Sequence, residues 1–351
     1  MSDPPSTVHV VVPAGIDDPA RPSGGNLYDR RLSTELSAAG WSVVEHEVAG
    51  SWPDPLAAHT DALSAVLSSI TDDGVVLLDG LVASAAAPLV ARYAARLRLV
   101  VLVHLPLGVA TPSRRAEEQA LLSEVGVVTT SEWTRSWLIT EYGLEAASIR
   151  AAVPGTDPAD PVTGSPAGTA FLCVGAVTPT KGQDVLVGAL RQVADLSWTC
   201  TCVGSLGVDP AFAESVQGEV ARADLGDRVR FTGPLVEHAL DAAYREADVL
   251  LLPSLIETYG MVVTEALSRG MPVIATSTGG TSEALGRASD GTVPGLLVPP
   301  GDAGAFASAI RDWLGDASLR GRLREAAGNR GPTLSSWADT AAVVARALTG
   351  G

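Results

Sequence analysis

From end to end the chain alternates short, almost wholly apolar runs with segments of helical length, which restricts it to an α/β fold built on parallel sheets. Residues 8–12, 42–44, 75–78, 99–103 and 127–129 read as strands, with helices over 27–39, 56–70, 83–96, 114–124 and 134–142. A strand that is apolar on successive residues must be covered on both faces, and crossover helices do this in a doubly wound sheet. Residues 154–168, rich in proline and poor in apolar side chains, interrupt the pattern and read as a linker. The alternation then restarts. Strands are expected at 170–174, 198–203, 229–231, 249–252, 273–275 and 295–298, and helices at 183–193, 212–223, 240–247, 262–269 and 303–314. Two more helices are expected at 318–327 and 336–348. The expected architecture is two tandem Rossmann-like domains, 1–153 and 169–333. Ligands of such sheets bind outside the carboxyl ends of the strands, so a cleft between the domains is the expected site.

Composition narrows the ligand. The 351 residues are 46% hydrophobic and 18% charged, enough apolar content for two cores. The net charge of −16 opposes nucleic acid and anionic lipid at long range, so neither is expected as a partner. An anionic ligand must be held by a local site. No apolar run is long enough to span a membrane, and the first residues do not read as a secretory signal. Cys173, Cys200 and Cys202 lie in expected strands without metal-site spacing and read as reduced thiols of a cytoplasmic protein. Lys181 is the only lysine; every other basic residue is arginine. A position that keeps an ammonium in such a background points to a need for a compact point charge.

Four strand ends carry candidate chemistry. In LLPSLIETYGMVVTEALSRGMPVIAT a strand ends at Leu252 and a helix is expected to begin near Tyr259 or Gly260, with Glu257 before it and Glu265 in its second turn. The free N–H groups around Gly260, Met261 and Val262 can receive phosphate oxygens. The flanking carboxylates can each accept two hydroxyl hydrogen bonds, as a sugar and a ribose require. An ordinary helix-start acid and a solvated helix glutamate are the structural alternative. In FLCVGAVTPTKGQDVLVGAL, Lys181 stands at a helix start after a strand end, where an ammonium neutralises a diphosphate. The Walker spacing is absent. Gly24 and Gly25, in SGGN after the first strand, allow close backbone approach to a phosphate or sugar. His104 directly follows the apolar strand 99–103, where its imidazole can hydrogen-bond a donor sugar or an acceptor hydroxyl, or simply pack. No Asp-x-Asp pair occurs, so metal-bridged phosphate binding of that kind is not indicated.

Taken together, SGG, KG, FTGPL and E-x7-E followed by GMPVIAT in two Rossmann-like halves resemble the GT-B-fold glycosyltransferases of retaining family 4, glycosyl transferases group 1. The resemblance is strongest from Phe171 to Pro300. It implies transfer of a hexose from a UDP- or GDP-type nucleotide diphosphate sugar to a small-molecule or glycan hydroxyl, without a metal or other cofactor and with retention at the anomeric carbon. It implies that Glu257, Lys181 and His104 serve the reacting sugar and diphosphate. It further implies that Gly24, Gly25, Tyr259, Gly260, Met261, Val262 and Glu265 bind the donor, and that the helix in 334–351 joins the first domain. Ala176 departs from the pattern, since many relatives carry an arginine after this strand-end glycine. A nucleotide-sugar epimerase and a non-catalytic nucleotide-sugar binder are the alternatives that the same residues allow.

Overall fold

The computed structural model describes residues 6–20 and 22–350. The chain forms two compact units. The first takes the chain up to Asp17, Gly24–Gly155 and everything from Ser335; the second takes Asp18–Ser23 and Thr156–Leu334.

In the first unit, β1 (Thr7–Pro13), β2 (Ser42–Val48), β3 (Val75–Asp79), β4 (Arg98–Val103), β5 (Gly126–Thr129) and β6 (Ile149–Ala151) form one parallel sheet, ordered β2-β1-β3-β4-β5-β6. The winding reverses between β1 and β3, and a crevice opens at the carboxyl ends of strands on either side of such a point. Its helices are α1 (Gly24–Ala38), α2 (Ala57–Ser69), α3 (Gly80–Ala85), α4 (Ala87–Val90), α5 (Leu107–Ala110), α6 (Arg115–Leu122) and α7 (Glu132–Tyr142). Val11, Val76, Leu78, Val101 and Val127 pack with Leu63, Leu67, Leu121 and Leu138 to form the core.

The single helix expected over 83–96 is instead α3, α4 and a 3-10 turn, Ala91–Tyr93. Asp79 starts α3 early by accepting the Val82 N–H at 3.0 Å, and Pro88, which has no N–H to donate, forces a restart at α4. β2 runs four residues beyond the expected 42–44. As an edge strand paired only with β1, it tolerates Glu45, His46 and Glu47. β6 and α5 were not expected, being too short to show a period.

In the second unit, β7 (Ala170–Val174), β8 (Thr199–Val203), β9 (Val229–Phe231), β10 (Val249–Leu252), β11 (Val273–Thr276) and β12 (Gly295–Val298) form a parallel sheet ordered β12-β11-β10-β7-β8-β9. Here the winding reverses between β7 and β10. The helices are α8 (Gln183–Gln192), α9 (Pro210–Arg222), α10 (Glu237–Arg245), α11 (Met261–Ser268), α12 (Thr281–Leu285), α13 (Ala303–Gly315) and α14 (Ala317–Arg330). Every residue of β10 and β11 is buried, as their unbroken apolar sequences require. The three cysteines are free and buried.

Residues 154–168 are not a free tether. Buried Asp248 accepts from the Ser165 N–H, the Ser165 hydroxyl at 2.8 Å and the Ala170 N–H at 2.9 Å. Trp313 Nε1 donates to the Gly168 carbonyl at 2.7 Å, and Arg320 reaches the Pro166 carbonyl at 3.2 Å. A buried carboxylate needs donors, and this irregular backbone supplies them, so the second unit begins at Thr156 rather than 169. The last helix, α15 (Trp337–Thr349), belongs to the first unit. There Thr340 donates to the Val153 carbonyl at 2.7 Å, and Arg98 donates to the Leu348 carbonyl at 3.0 Å.

Candidate active site

The switch point of the second unit gathers the loops after β7, β10 and β11. The Thr180 carbonyl accepts the Leu255 N–H at 2.8 Å, and the Glu257 carbonyl accepts the Gly280 N–H at 3.0 Å. Gly182, at φ +68°, lies so close to the Pro253 carbonyl that a Cβ would collide with it. These ties present Lys181 and Glu257 together: Lys181 Nζ donates to Glu257 Oε2 at 2.7 Å. Ser254 adds its hydroxyl to the same oxygen at 3.2 Å. The ammonium carries three protons, so two remain for a further anion. Glu257 Oε1 has no hydrogen-bond partner among the described residues.

Behind Glu257 stands the start of α11. Gly260 occupies the cap position at φ +97°, which other residues adopt only with strain. The Val263 N–H turns back to the Gly260 carbonyl at 2.9 Å, while those of Met261 and Val262 lie in the first turn, where a helix offers no internal acceptor. The Tyr259 side chain is 6% exposed and its hydroxyl is pushed up to about 12 by burial and Glu283, which leaves its backbone as the part open to a ligand. Glu265 is also less free than expected. Tyr244 donates to its Oε2 at 2.8 Å, and Arg269 lies over the Tyr244 ring while pairing with Asp241. Burial raises the Glu265 carboxyl above its ordinary range, opposed by Tyr244 and Arg269. Its Oε1 has no hydrogen-bond partner among the described residues. Ala176 contributes only its backbone, its carbonyl accepting from Gln183 at 3.1 Å, and no arginine contacts Lys181 or Glu257 among the described residues.

At the switch point of the first unit, His104 joins two carboxylates the sequence reading missed. His104 Nε2 lies 2.9 Å from Asp29 Oδ1 and 3.7 Å from Asp79 Oδ2. Their nearest ligand atoms all fall within 4.8 Å of one another, close enough for a shared proton or a cation. Burial works against a charged His104, but Asp29 and then Asp79 outweigh it, and the imidazolium is favoured. Asp79 is pushed up to about 7 by burial and by Asp29, against His104 and the backbone N–H groups of α3. A Cβ at Gly25 would come within 3.5 Å of the His104 ring, while Gly24 is exposed.

The sign of the pH dependence follows. Asp79 binds its proton more tightly folded than unfolded, so its favourable contribution is whole below about pH 4 and is lost as pH rises to about 7. The raised His104 works in the same direction, holding its contribution below its unfolded value and losing it above. Asp79→Asn keeps a capping oxygen but removes the charge. We expect it to stabilise the protein at pH 8 by on the order of 1–3 kcal/mol, with roughly a third of that gain at pH 5, in urea unfolding at the two pH values.

Glu118, also missed, anchors the loop that carries His104. It is fully buried and accepts from Ser84 Oγ at 2.7 Å, the Leu107 and Gly108 N–H groups at 2.7 and 2.8 Å, and the Tyr142 hydroxyl at 2.5 Å. Asp79 carried the same strand-end signal as His104. Asp29, inside α1, and Glu118, inside α6, carried none.

Residues 164–330 match the family described as glycosyl transferases group 1. That match spans just under half of the chain, and the fold of the chain is GT-B. Among curated relatives, the D-inositol 3-phosphate glycosyltransferase of Kineococcus radiotolerans is 30% identical over 237 residues, covering 61% of this chain and 54% of the relative. That of Pseudarthrobacter chlorophenolicus is 34% identical over 226 residues, covering 59% and 51%. The chain thus spans about half the length of these curated relatives. Two solved structures share its fold. Sucrose-phosphate synthase from Thermosynechococcus elongatus has a TM-score of 0.78 at 24% identity, covering 98% of each chain. Anabaena Alr3699/HepE in complex with UDP-glucose has a TM-score of 0.79 at 18% identity, covering 98% of this chain and 99% of that one.

Proposed function

We propose that the protein is a retaining glycosyltransferase that moves a hexose from a UDP- or GDP-type sugar to a hydroxyl of a small molecule or glycan, using no metal or cofactor. The observation that carries this reading is the Lys181–Glu257 pair, fixed before the free N–H groups of α11 at the β7/β10 switch point. In a chain of net charge −16, this is a local cation and dipole suited to a diphosphate. Lys181 and the α11 N–H groups stabilise the departing diphosphate, the work a metal does in other transferases. Glu257 Oε1 accepts sugar hydroxyls, and Glu265 Oε1 accepts ribose hydroxyls. His104 addresses the reacting sugar or the acceptor. The UDP-glucose held by Anabaena HepE and the inositol phosphate named for the curated relatives support this class of donor and acceptor. No described helix is long and apolar enough to cross a membrane, and the buried free thiols accord with a cytoplasmic setting.

The test is incubation with nucleotide sugars and an acceptor panel, followed by NMR of the product. Retention at the anomeric carbon and an unchanged rate in excess EDTA are expected. Inversion, a metal requirement, or epimerised donor without transfer contradicts the reading.

A further inference from the structure

We propose that Asp29 is a positioning residue for His104: it holds the imidazole by Nε2–H, so that Nδ1 is the nitrogen that meets the substrate hydroxyl. The orientation rests on the first unit alone; that the hydroxyl belongs to a sugar or its acceptor rests on the proposed function.

The geometry distinguishes the two edges of the ring. Asp29 Oδ1 lies 2.9 Å from Nε2, and Asp79 Oδ2 lies 3.7 Å from the same nitrogen. Gly25 faces the edge formed by Cγ, Cδ2 and Nε2. Tyr28 stands edge-on to the ring at 5.4 Å, held by its hydroxyl donating to the Ala152 carbonyl at 2.9 Å and by Trp337 of α15 at 5.5 Å. Nδ1 has no hydrogen bond with any described residue, and the side chain is 21% exposed. Both buried carboxylates therefore lie on the Nε2 side of a ring whose other nitrogen is open.

Chemistry fixes the tautomer from there. Asp29 is 4% exposed, and a buried carboxylate accepts hydrogen bonds rather than facing a lone pair. A neutral His104 must then carry its proton on Nε2 and turn the Nδ1 lone pair outward. The neutral ring accepts from a hydroxyl, and the imidazolium donates to one, without the ring moving. The titratable groups facing His104 are Asp29 and Tyr28 from α1 and Asp79 from the end of β3.

Nitrogen-15 NMR of histidine-labelled protein tests this, with His104→Gln assigning the signal among the five histidines. In the wild type, above the titration midpoint, Nε2 is expected protonated and Nδ1 bare. In Asp29→Asn the carboxamide can donate to Nε2. The tautomer is then expected to reverse or mix, and the midpoint to fall by about one pH unit. kcat is expected to fall by about 10- to 100-fold, with the acid limb of its pH profile moving the same way and donor KM changing little. A wild type carrying its proton on Nδ1 overturns the proposal whether or not the variant folds. So does an Asp29→Asn protein whose tautomer and midpoint match the wild type. Mn2+ that broadens Nε2 at stoichiometric amounts also overturns it, because the cluster is then a metal site. The NMR readout needs no substrate. A chain that binds no nucleotide sugar removes the proposed function and leaves this orientation standing.

Discussion

Lys181→Ala is expected to lower sugar transfer about a thousandfold while leaving the protein folded. Removing one preorganised donor to a developing anion costs about 10²- to 10³-fold, and this donor also carries the charge. Two features place the effect at the upper end. The chain has no other lysine, and Ala176 leaves the β7 loop without an arginine to substitute. Glu257 would also lose the cation 2.7 Å away and turn its charge toward the diphosphate. Stability should fall by on the order of 1 kcal/mol, because the Lys181 side chain is 33% exposed while that of Glu257 is 11% exposed. Steady-state kinetics beside a melting curve check both halves. Turnover like that of the wild type rejects the role given to Lys181.

The second large effect concerns stability. Glu118→Ala leaves two backbone N–H groups, the Ser84 hydroxyl and the Tyr142 hydroxyl without their acceptor at a fully buried position. Burial and Glu118 both raise the Tyr142 hydroxyl, which therefore stays a proton donor. Breaking a buried charged network of this kind costs about 3–5 kcal/mol. A lower urea midpoint and a melting temperature reduced by on the order of 10 °C are expected. Glu118→Gln keeps one accepting oxygen and should lose roughly half as much. A Glu118→Ala midpoint equal to that of the wild type would show that the loop carrying His104 does not depend on this anchor.

The parallel strands were legible because burial on both faces leaves an unbroken apolar run, as in β10 and β11. The half-exposed edge strand β2 was read short for the opposite reason. The placement of Lys181, Glu257 and His104 in loops after strands was legible from the apolar runs that precede them. The contacts that orient them were not. The Lys181–Glu257 pair depends on a backbone bond between Thr180 and Leu255, which no spacing encodes. Asp29 reaches His104 across 75 positions from the interior of a helix. Tyr244 reaches Glu265 from α10, and Glu118 collects donors from three other segments. The 154–168 stretch looked like a linker because its composition is that of a loop, while Asp248, the group that binds it, lies some 80 positions away.

The central claim is that the β7/β10 switch point holds a nucleotide diphosphate sugar through Lys181 and Glu257. Thermal melting of the wild type with UDP, GDP, ADP and dTDP sugars, repeated with Lys181→Ala, tests it most directly. A ligand at 100 times its dissociation constant adds about 2.7 kcal/mol of stability. The account predicts a clear rise for at least one of these sugars in the wild type and its disappearance in the variant. No rise with any of them, or an equal rise in both proteins, contradicts it.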